Sequence, residues 1–257
     1  MPEVTVVTLV KDNKNGLLTT YDSLFNQLHN SWEMLVVCAK SVDSSELTAS
    51  FMAKKDSRVR LVIQNGTGIY HAMNLGLEKS TSKYVWFMNS GDIFADSNSL
   101  FHGLNEIRNR KVGVVVGGYG VQDKVKPRYF SGSSSALKPF QFSLNRRLGC
   151  HQSMIYDREI LWLAGGFDEN FQIAADFLST LKVIDVGGGW RTEEIYSVIE
   201  PGGVSSLRIK QTLQEKQIAR GIFFGEKSLG FIAGKFWTRA VLIRILLRNI
   251  KRKVLNS

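Results

Sequence analysis

Residues 68–92, GIYHAMNLGLEKSTSKYVWFMNSGD, limit the possible folds of this chain more than any other stretch. In the first half, apolar residues recur at steps of three and four, which predicts a helix with one apolar face. In the second half, the all-apolar run YVWFM is typical of a strand that is covered on both sides. The turn residues NSGD then end that strand. Because ligands of open α/β sheets bind beyond the carboxyl ends of the strands, we expect Asp92 to face a cleft, with a plain surface turn as the alternative.

Strand and helix signals alternate along most of the chain. Short apolar runs predict strands, and segments with helical spacing separate them. The predicted strands are residues 4–10, 34–38, 59–63, 84–88, 112–116, 154–156 and 195–199. This alternation predicts an α/β fold with a doubly wound, mostly parallel sheet flanked by helices. Residues 122–139 contain the run SGSSS, which predicts a loop over the open edge of the sheet, either a lid or a plain solvent loop.

The positive charge of the chain is confined to its last part. The formal net charge is +10, and residues 205–257 alone contain twelve Lys and Arg against two acids, Glu215 and Glu226. Residues 1–204 are therefore neutral, which argues against a nucleic-acid partner for that part. We interpret residues 1–204 as the globular domain and residues 205–257 as a basic, helical C-terminal extension.

The extension has the pattern of an amphipathic helix. Its apolar residues at steps of three and four are Phe236, Ala240, Ile243, Leu247 and Ile250. The adjoining arc carries Trp237, Arg244, Arg248, Lys251 and Arg252. Aromatic and aliphatic bulk beside a basic arc is typical of a helix that lies on an anionic membrane surface. A structural helix packed on the domain is the alternative.

Cysteine usage and hydropathy give further expectations. The two cysteines, Cys38 and Cys150, lie far apart without a Cys-x-x-Cys spacing, which argues against a zinc site or a disulfide framework and favours a reducing compartment. The first residues show no basic segment followed by a long apolar one, so no signal peptide is expected. The sequence has no run of about 18 uncharged apolar residues, so no ordinary transmembrane helix is expected.

The key stretch also resembles a known family. The matching residues are Gly68, Ile69, Tyr70, Ala72, Met73, Asn74, Gly76, Asn89, Gly91 and Asp92. They resemble the helix Gly-Ile-Tyr-Asp-Ala-Met-Asn-x-Gly and the strand end Asn-x-Gly-Asp of the family 2 glycosyltransferases, especially the bacterial polysaccharide and lipopolysaccharide branch. A His-Gln pair before a strand and the sequences GGFDE and GGVS extend the resemblance over residues 4–205. The resemblance implies a GT-A-like fold.

The resemblance also implies a function. It is that of an inverting glycosyltransferase, which moves a sugar from a nucleotide-diphosphate donor to a glycan or lipid-linked acceptor in cell-surface polysaccharide synthesis. It implies that Asp92 binds a divalent cation, Mg²⁺ or Mn²⁺, which holds the diphosphate. It implies that Asp176 is the general base, with an ordinary helix N-terminal Asp as the alternative. Such an enzyme is expected in the cytoplasm, peripheral on the inner face of the plasma membrane.

Further site residues follow from the same resemblance. The implied donor-binding residues are Thr8, Asp43, Tyr70, Asn74, Asn89, Gly91 and Asp92. The residues His151 and Gln152 are assigned to the acceptor or diphosphate side, with a purely structural His151 as the alternative.

Several acids that are usual in the family are replaced here. Where the family has Asp-Gly-x-Ser-x-Asp, this chain has CAKSVD from Cys38 onward. Only Ser41 and Asp43 of the family pattern remain. In the family's Tyr-Asp-Ala-Met-Asn sequence, the Asp is replaced here by His71. These replacements favour, as the alternative function, a catalytically silent subunit that binds or scaffolds a glycan-assembly complex.

Overall fold

The computed structural model describes residues 1–123, 126–142 and 148–255. Within these residues, ten strands form one sheet. The strands are β1 (Val4–Val10), β2 (Trp32–Cys38), β3 (Val59–Ile63), β4 (Tyr84–Asn89), β5 (Ile93–Phe94), β6 (Val114–Val121), β7 (Arg128–Phe130), β8 (Ser135–Leu137), β9 (Met154–Asp157) and β10 (Gly189–Ile199). The helices are α1 (Lys14–Phe25), α2 (Ser45–Lys55), α3 (Ile69–Lys79), α4 (Ser99–Arg110), α5 (Arg158–Leu163), α6 (Ala175–Gly187), α7 (Val204–Leu207), α8 (Ile209–Phe224) and α9 (Leu229–Leu255).

The long strands of the sheet are mostly parallel, as predicted. Their order is β3-β2-β1-β4-β9-β6-β10-β5, and β1 pairs parallel with both β2 and β4. Strand β9 lies antiparallel between β4 and β6, and the short β5 pairs antiparallel with β10. The residues just before β9 therefore lie at the edge of the sheet where β4 and β6 end.

Helices cover both faces of the sheet, which confirms the doubly wound prediction. The apolar side chains of α1, α2 and α4 pack on one face in a cluster around Trp86. Those of α3, α5, α6 and α8 pack on the other face around Phe87. Because successive side chains of a strand point to opposite faces, the neighbours Trp86 and Phe87 serve different halves of the core. This arrangement is why YVWFM is apolar throughout.

The segment 122–139 differs from its prediction as a loop. It contains β7 and β8, which pair antiparallel with β6 and β10 respectively. Their pairing uses backbone groups at the sheet edge, and most of their side chains are exposed. Since these strands bury little apolar surface, the sequence lacks the apolar run on which a strand prediction depends.

The predicted helical extension is helical, and its first long helix belongs to the core. Helix α8 packs on α6, and Ala219 and Arg220 of α8 are fully buried. Helix α9 then runs back along α8, with Gly234 and Thr238 buried at the contact. The domain boundary after residue 204 stays a prediction.

The predicted apolar stripe of α9 lies mainly on the solvent side of this helix pair. Phe236, Ala240, Ile243 and Leu247 are exposed, and so are the side chains of Trp237 and Arg244. The side chains of the other predicted members, Arg248, Ile250, Lys251 and Arg252, lie outside the described residues. No described helix is both long and apolar enough to cross a membrane.

Candidate active site at the carboxyl end of β4

The turn after β4 is held by a buried threonine of α1. Thr20 Oγ1 donates to the carbonyl oxygen of Asp92 at 2.8 Å and accepts from the Gly91 N–H at 3.0 Å. Gly91 has φ +101°, and a Cβ there would lie 2.6 Å from the Glu200 carboxyl carbon. The backbone angle favours glycine at this position, whereas the exposed end of the Glu200 side chain could move aside.

Asp92 is buried, with 5% of its surface exposed, so the expectation that it faces an open cleft is wrong. One carboxylate oxygen accepts from Gln152 Nε2 at 2.7 Å, and the other accepts from the Glu200 N–H at 2.9 Å. Burial raises the pKa of Asp92, against the opposite effect of these two donors. The carboxylate thus joins three segments, the end of β4, the turn before β9 and the end of β10.

A chain of polar contacts runs from the end of β4 to the first turn of α6. Asn89 Nδ2 lies 3.3 Å from His151 Nε2, and His151 Nδ1 lies 3.4 Å from Asp176 Oδ2. With the Asn89 amide donating, the imidazole proton is on Nδ1 and faces the carboxylate. The Tyr70 hydroxyl donates to the other oxygen, Asp176 Oδ1, at 3.5 Å. Four of the predicted site residues therefore form one connected cluster.

Asp176 carries a negative charge at neutral pH. Burial alone would raise its pKa, but the hydrogen bond from His151, the charge of that ring when it is protonated, and the charge of Lys216 outweigh burial and lower the pKa. The side chain is 25% exposed, so solvent reaches it. An ionised, accessible carboxylate at this place can accept a proton.

Other predicted donor residues have structural contacts instead. Asn74 both donates to and accepts from the Phe167 backbone at 2.8 Å and so fixes the segment that leads to α6. Asp43 accepts from the backbone N–H groups of Lys14 and Ser45 near the start of α2. Thr8 is buried in β1, and its Oγ1 has no hydrogen-bond partner among the described residues. The roles of these three residues in donor binding stay predictions.

The two replaced family acids lie in different surroundings. Cys38 is fully buried at the end of β2, and burial raises the pKa of its thiol. His71 Nδ1 lies 3.1 Å from Glu169, at the surface of α3. Because one residue is a cysteine and the other a histidine, neither side chain offers a carboxylate to a ligand.

Four residues of the site were missed by sequence reasoning: Thr20, Glu200, Lys216 and Glu215, whose carboxylate accepts the backbone N–H groups of residues 172–174. Thr20 and Glu200 meet the β4 turn from distant parts of the chain, and no local pattern indicates this. Glu215, by contrast, gave a signal, because it is one of only two acids in a strongly basic segment.

Several of the polar atoms at the carboxyl end of β4 are oxygens, the type of ligand that a hard divalent cation prefers. Asn89 Oδ1 is buried and has no hydrogen-bond partner among the described residues. The Asp92 carboxylate and the exposed Glu200 carboxylate lie in the same region, and such oxygens suit Mg²⁺ and Mn²⁺. No group of three or more His, Cys, Asp or Glu in the described part of the chain forms a complete metal site.

The sheet with helices on both faces and a polar cluster at its carboxyl edge is an α/β fold of the GT-A type. The chain belongs to glycosyl transferase family 2, because the model of that family matches residues 5–163.

Relatives by sequence carry glycosyltransferase names. An uncharacterized glycosyltransferase of Rickettsia bellii is 34% identical over 93 residues, which cover 36% of this chain and 13% of the relative. TuaG of Bacillus subtilis, assigned provisionally to teichuronic acid biosynthesis, is 28% identical over 161 residues, which cover 62% of this chain and 63% of TuaG. The chain therefore matches only part of the length of these relatives.

Solved structures share the fold. TarS of S. aureus superimposes with a TM-score of 0.66 at 14% identity, covering 86% of this chain and 40% of TarS. The mannosyltransferase PcManGT of Pyrobaculum calidifontis, solved with GDP-Man and Mn²⁺, has a TM-score of 0.62 at 15% identity. That match covers 99% of this chain and 81% of PcManGT.

The burial of Asp92 leads to a stability prediction. In Asp92→Asn, the side chain has one acceptor oxygen instead of two, so either Gln152 or the Glu200 N–H loses its partner. We expect the free energy of unfolding to fall by about 1–3 kcal/mol, the usual cost of an unsatisfied buried group. Urea denaturation at neutral pH measures this loss. The control is Asp185→Asn, an exposed acid of α6, and equal stability of the two variants would contradict the assignment.

Proposed function

We propose that this chain is an inverting glycosyltransferase, which moves a sugar from a nucleotide-diphosphate donor to a glycan or lipid-linked acceptor in cell-surface polysaccharide or lipopolysaccharide synthesis. The observation that carries the proposal is the ionised Asp176, connected through His151 to Asn89 at the end of β4. Family membership supports it. Further support comes from TuaG and from a Mycobacterium bovis glycosyltransferase named for PGL/p-HBAD biosynthesis.

In the proposed reaction, Asp176 accepts the proton of the acceptor hydroxyl. The hydroxyl oxygen forms the new bond to the anomeric carbon, while the bond from that carbon to the diphosphate oxygen breaks and its electron pair leaves with the nucleotide. His151 holds the Asp176 carboxylate in place and keeps it ionised. A single displacement from the face opposite the leaving group inverts the anomeric centre.

The nucleotide sugar binds, in this proposal, at the carboxyl end of β4. Complexes of TarS with UDP-GlcNAc and of PcManGT with GDP-Man and Mn²⁺ support such a ligand. Asn89 Oδ1 and the Asp92 carboxylate would hold the divalent cation, with Glu200 near them. A bound cation would supply Lewis-acid stabilisation of the leaving diphosphate. Diphosphate oxygens and water would complete its coordination, since the cluster offers few acids.

The cation proposal predicts donor binding that depends on Mn²⁺. A nucleotide sugar at 100 times its dissociation constant should raise the stability of the folded protein by about 2.7 kcal/mol. Thermal unfolding with a panel of nucleotide sugars should show this shift with Mn²⁺ and lose it with EDTA. Asn89→Ala removes the unpartnered oxygen and should weaken the Mn²⁺-dependent shift, whereas Asn15→Ala on the exposed side of α1 should not. A full shift in Asn89→Ala would remove Asn89 from the cation site.

Asp176 as the base predicts a loss of turnover without a loss of binding. An amide cannot accept the proton, so Asp176→Asn should lower kcat by roughly 10²–10⁴-fold, the usual contribution of a positioned general base. Nucleotide release from the stabilising donor measures kcat, and the thermal shift measures donor binding. Asp185→Asn makes the same charge change on the same helix and should keep the wild-type rate. A rate in Asp176→Asn near that of the wild type would assign the proton to another group.

A catalytically silent binding or scaffolding subunit is the second candidate function. The observation that favours it is that neither Cys38 nor His71 provides the carboxylate usual in the family. The two functions differ in one measurement. A silent subunit would give a nucleotide-sugar thermal shift in the wild type but no nucleotide release with any donor.

The C-terminal helices form, in this proposal, a peripheral contact with the anionic inner face of the plasma membrane. Support comes from the exposed apolar residues of α9, Phe236, Ile243 and Leu247, each of which has more than half of its surface exposed. Exposed Arg239 and Arg244 lie on the same helix. Each basic residue near an anionic leaflet contributes about 1 kcal/mol, so several together suffice for reversible binding. This placement suits a lipid-linked acceptor.

Liposome flotation tests the membrane contact. Full-length protein should float with anionic vesicles at low salt and less with neutral ones. The double variant Phe236→Ser/Ile243→Ser removes exposed apolar bulk from α9 and should float weakly. A shortened chain is a poorer test, because the loss of α9 would uncover the surface of α8. The matched control, Leu47→Ser/Phe51→Ser, removes exposed apolar residues from α2. Equal flotation of the two double variants would contradict the proposed surface.

A further inference from the structure

A carboxylate of α8 binds the backbone just before α6. Glu215 is 9% exposed, and its Oε2 accepts the N–H groups of three consecutive residues: Gln172 at 3.2 Å, Ile173 at 2.8 Å and Ala174 at 3.0 Å. The other oxygen, Oε1, accepts from Gln211 Nε2 at 3.1 Å. Both oxygens therefore have protein donors, and the carboxylate has one defined orientation.

The start of α6 lacks a cap of its own. Its N-cap residue is Ala174, which has no side-chain acceptor. Glu215, from another helix, accepts the N–H groups just ahead of α6 and brings a negative charge to the positive end of the helix dipole, which favours an anion. A neutral acceptor would be weaker here, because hydrogen bonds to a charged group are roughly twice as strong as neutral ones.

Asp176 is the second residue of the same helix. The direction of its carboxylate depends on where the backbone of residues 172–174 enters α6, since only Ala175 separates the two segments. We propose that Glu215 is the positioning residue of the base, fixing through these three backbone hydrogen bonds the place from which Asp176 projects toward His151. The positioning role rests on the proposed function, whereas the backbone contact stands without it.

The neighbouring residue of α8 acts at the same place. Lys216 lies over the ring of Phe177, 5.5 Å from its centroid, and its charge helps to keep Asp176 ionised. Two consecutive residues of α8 thus act at the start of α6: Glu215 binds the backbone just before the helix, and Lys216 acts on its first turn through charge. By this inference α8 is part of the structure that supports the active site, and not a separate C-terminal extension.

The variant Glu215→Gln tests the role, and Glu226→Gln is its matched control. These are the only two acids after residue 204, so both variants change the charge of the C-terminal segment equally. In Glu215→Gln, the amide N–H groups of residues 172–174 should exchange with solvent faster, whereas Glu226→Gln should leave them unchanged. Wild-type exchange at these amides in Glu215→Gln would overturn the contact itself.

Kinetics separate positioning from general stability. A base displaced by about 1 Å can lower the rate by about 10²-fold, so we expect Glu215→Gln to lower kcat by roughly 10–100-fold with the donor KM unchanged. In the double variant Glu215→Gln/Asp176→Asn, the loss should equal that of Asp176→Asn alone, because Glu215 acts through Asp176. Additive losses, or a kcat within about twofold of the wild type, would overturn the positioning role.

Two further outcomes keep the proposals distinguishable. If Glu215→Gln fails to fold, Glu215→Asp retains the charge with a shorter reach, and the same exchange and kinetic criteria apply to it. If the wild type releases no nucleotide from any donor, the proposed function fails, and with it the role of Asp176 as base. Faster exchange in the variant would then still establish that Glu215 holds the backbone before α6.

Discussion

The reversed direction of β9 is the constraint on which the site depends. Because β9 runs antiparallel between β4 and β6, the turn at residues 151–153 lies at the carboxyl end of β4. The indole N–H of Trp86 in β4 donates to the Gln152 carbonyl oxygen at 2.8 Å and secures that turn. His151 then lies between Asn89 and Asp176. A parallel β9 would place its preceding turn at the opposite edge of the sheet, away from both residues.

Two carboxylates of the site have opposite environments. Asp92 is enclosed by protein donors and burial raises its pKa, so its charge is costly and its main observed contacts are structural. For Asp176, burial is outweighed by His151 and Lys216, and it remains partly open to solvent. Acid and base roles in active sites commonly follow from such separated environments. The contrast favours Asp176 as the group that exchanges a proton. It favours Asp92 as the group that holds the turn after β4 and, in the proposed function, the cation.

Local patterns of apolar residues predicted the fold well, because the central strands of the sheet are buried and their sequences are therefore apolar. YVWFM predicted a strand covered on both sides, and Trp86 and Phe87 do lie in the two halves of the core. The sequence also placed Asp92 correctly at a strand end. It did not predict its burial, because the residues that enclose it, Gln152 and Glu200, come from distant segments. Strands β7 and β8 were missed for a different reason, since edge pairing through the backbone leaves no apolar pattern.

The C-terminal segment shows why charge must be considered residue by residue. Its net positive charge predicts a surface that is attracted to anions, and the exposed side of α9 has that composition. The same segment supplies one buried anion, Glu215, to the positive end of α6, and one cation, Lys216, to the carboxylate of Asp176. A uniformly basic α8 would place positive charge against the N-terminus of α6 and leave three backbone N–H groups without their acceptor. The single buried acid of α8 is therefore what allows this basic helix to pack against the start of α6, which carries Asp176.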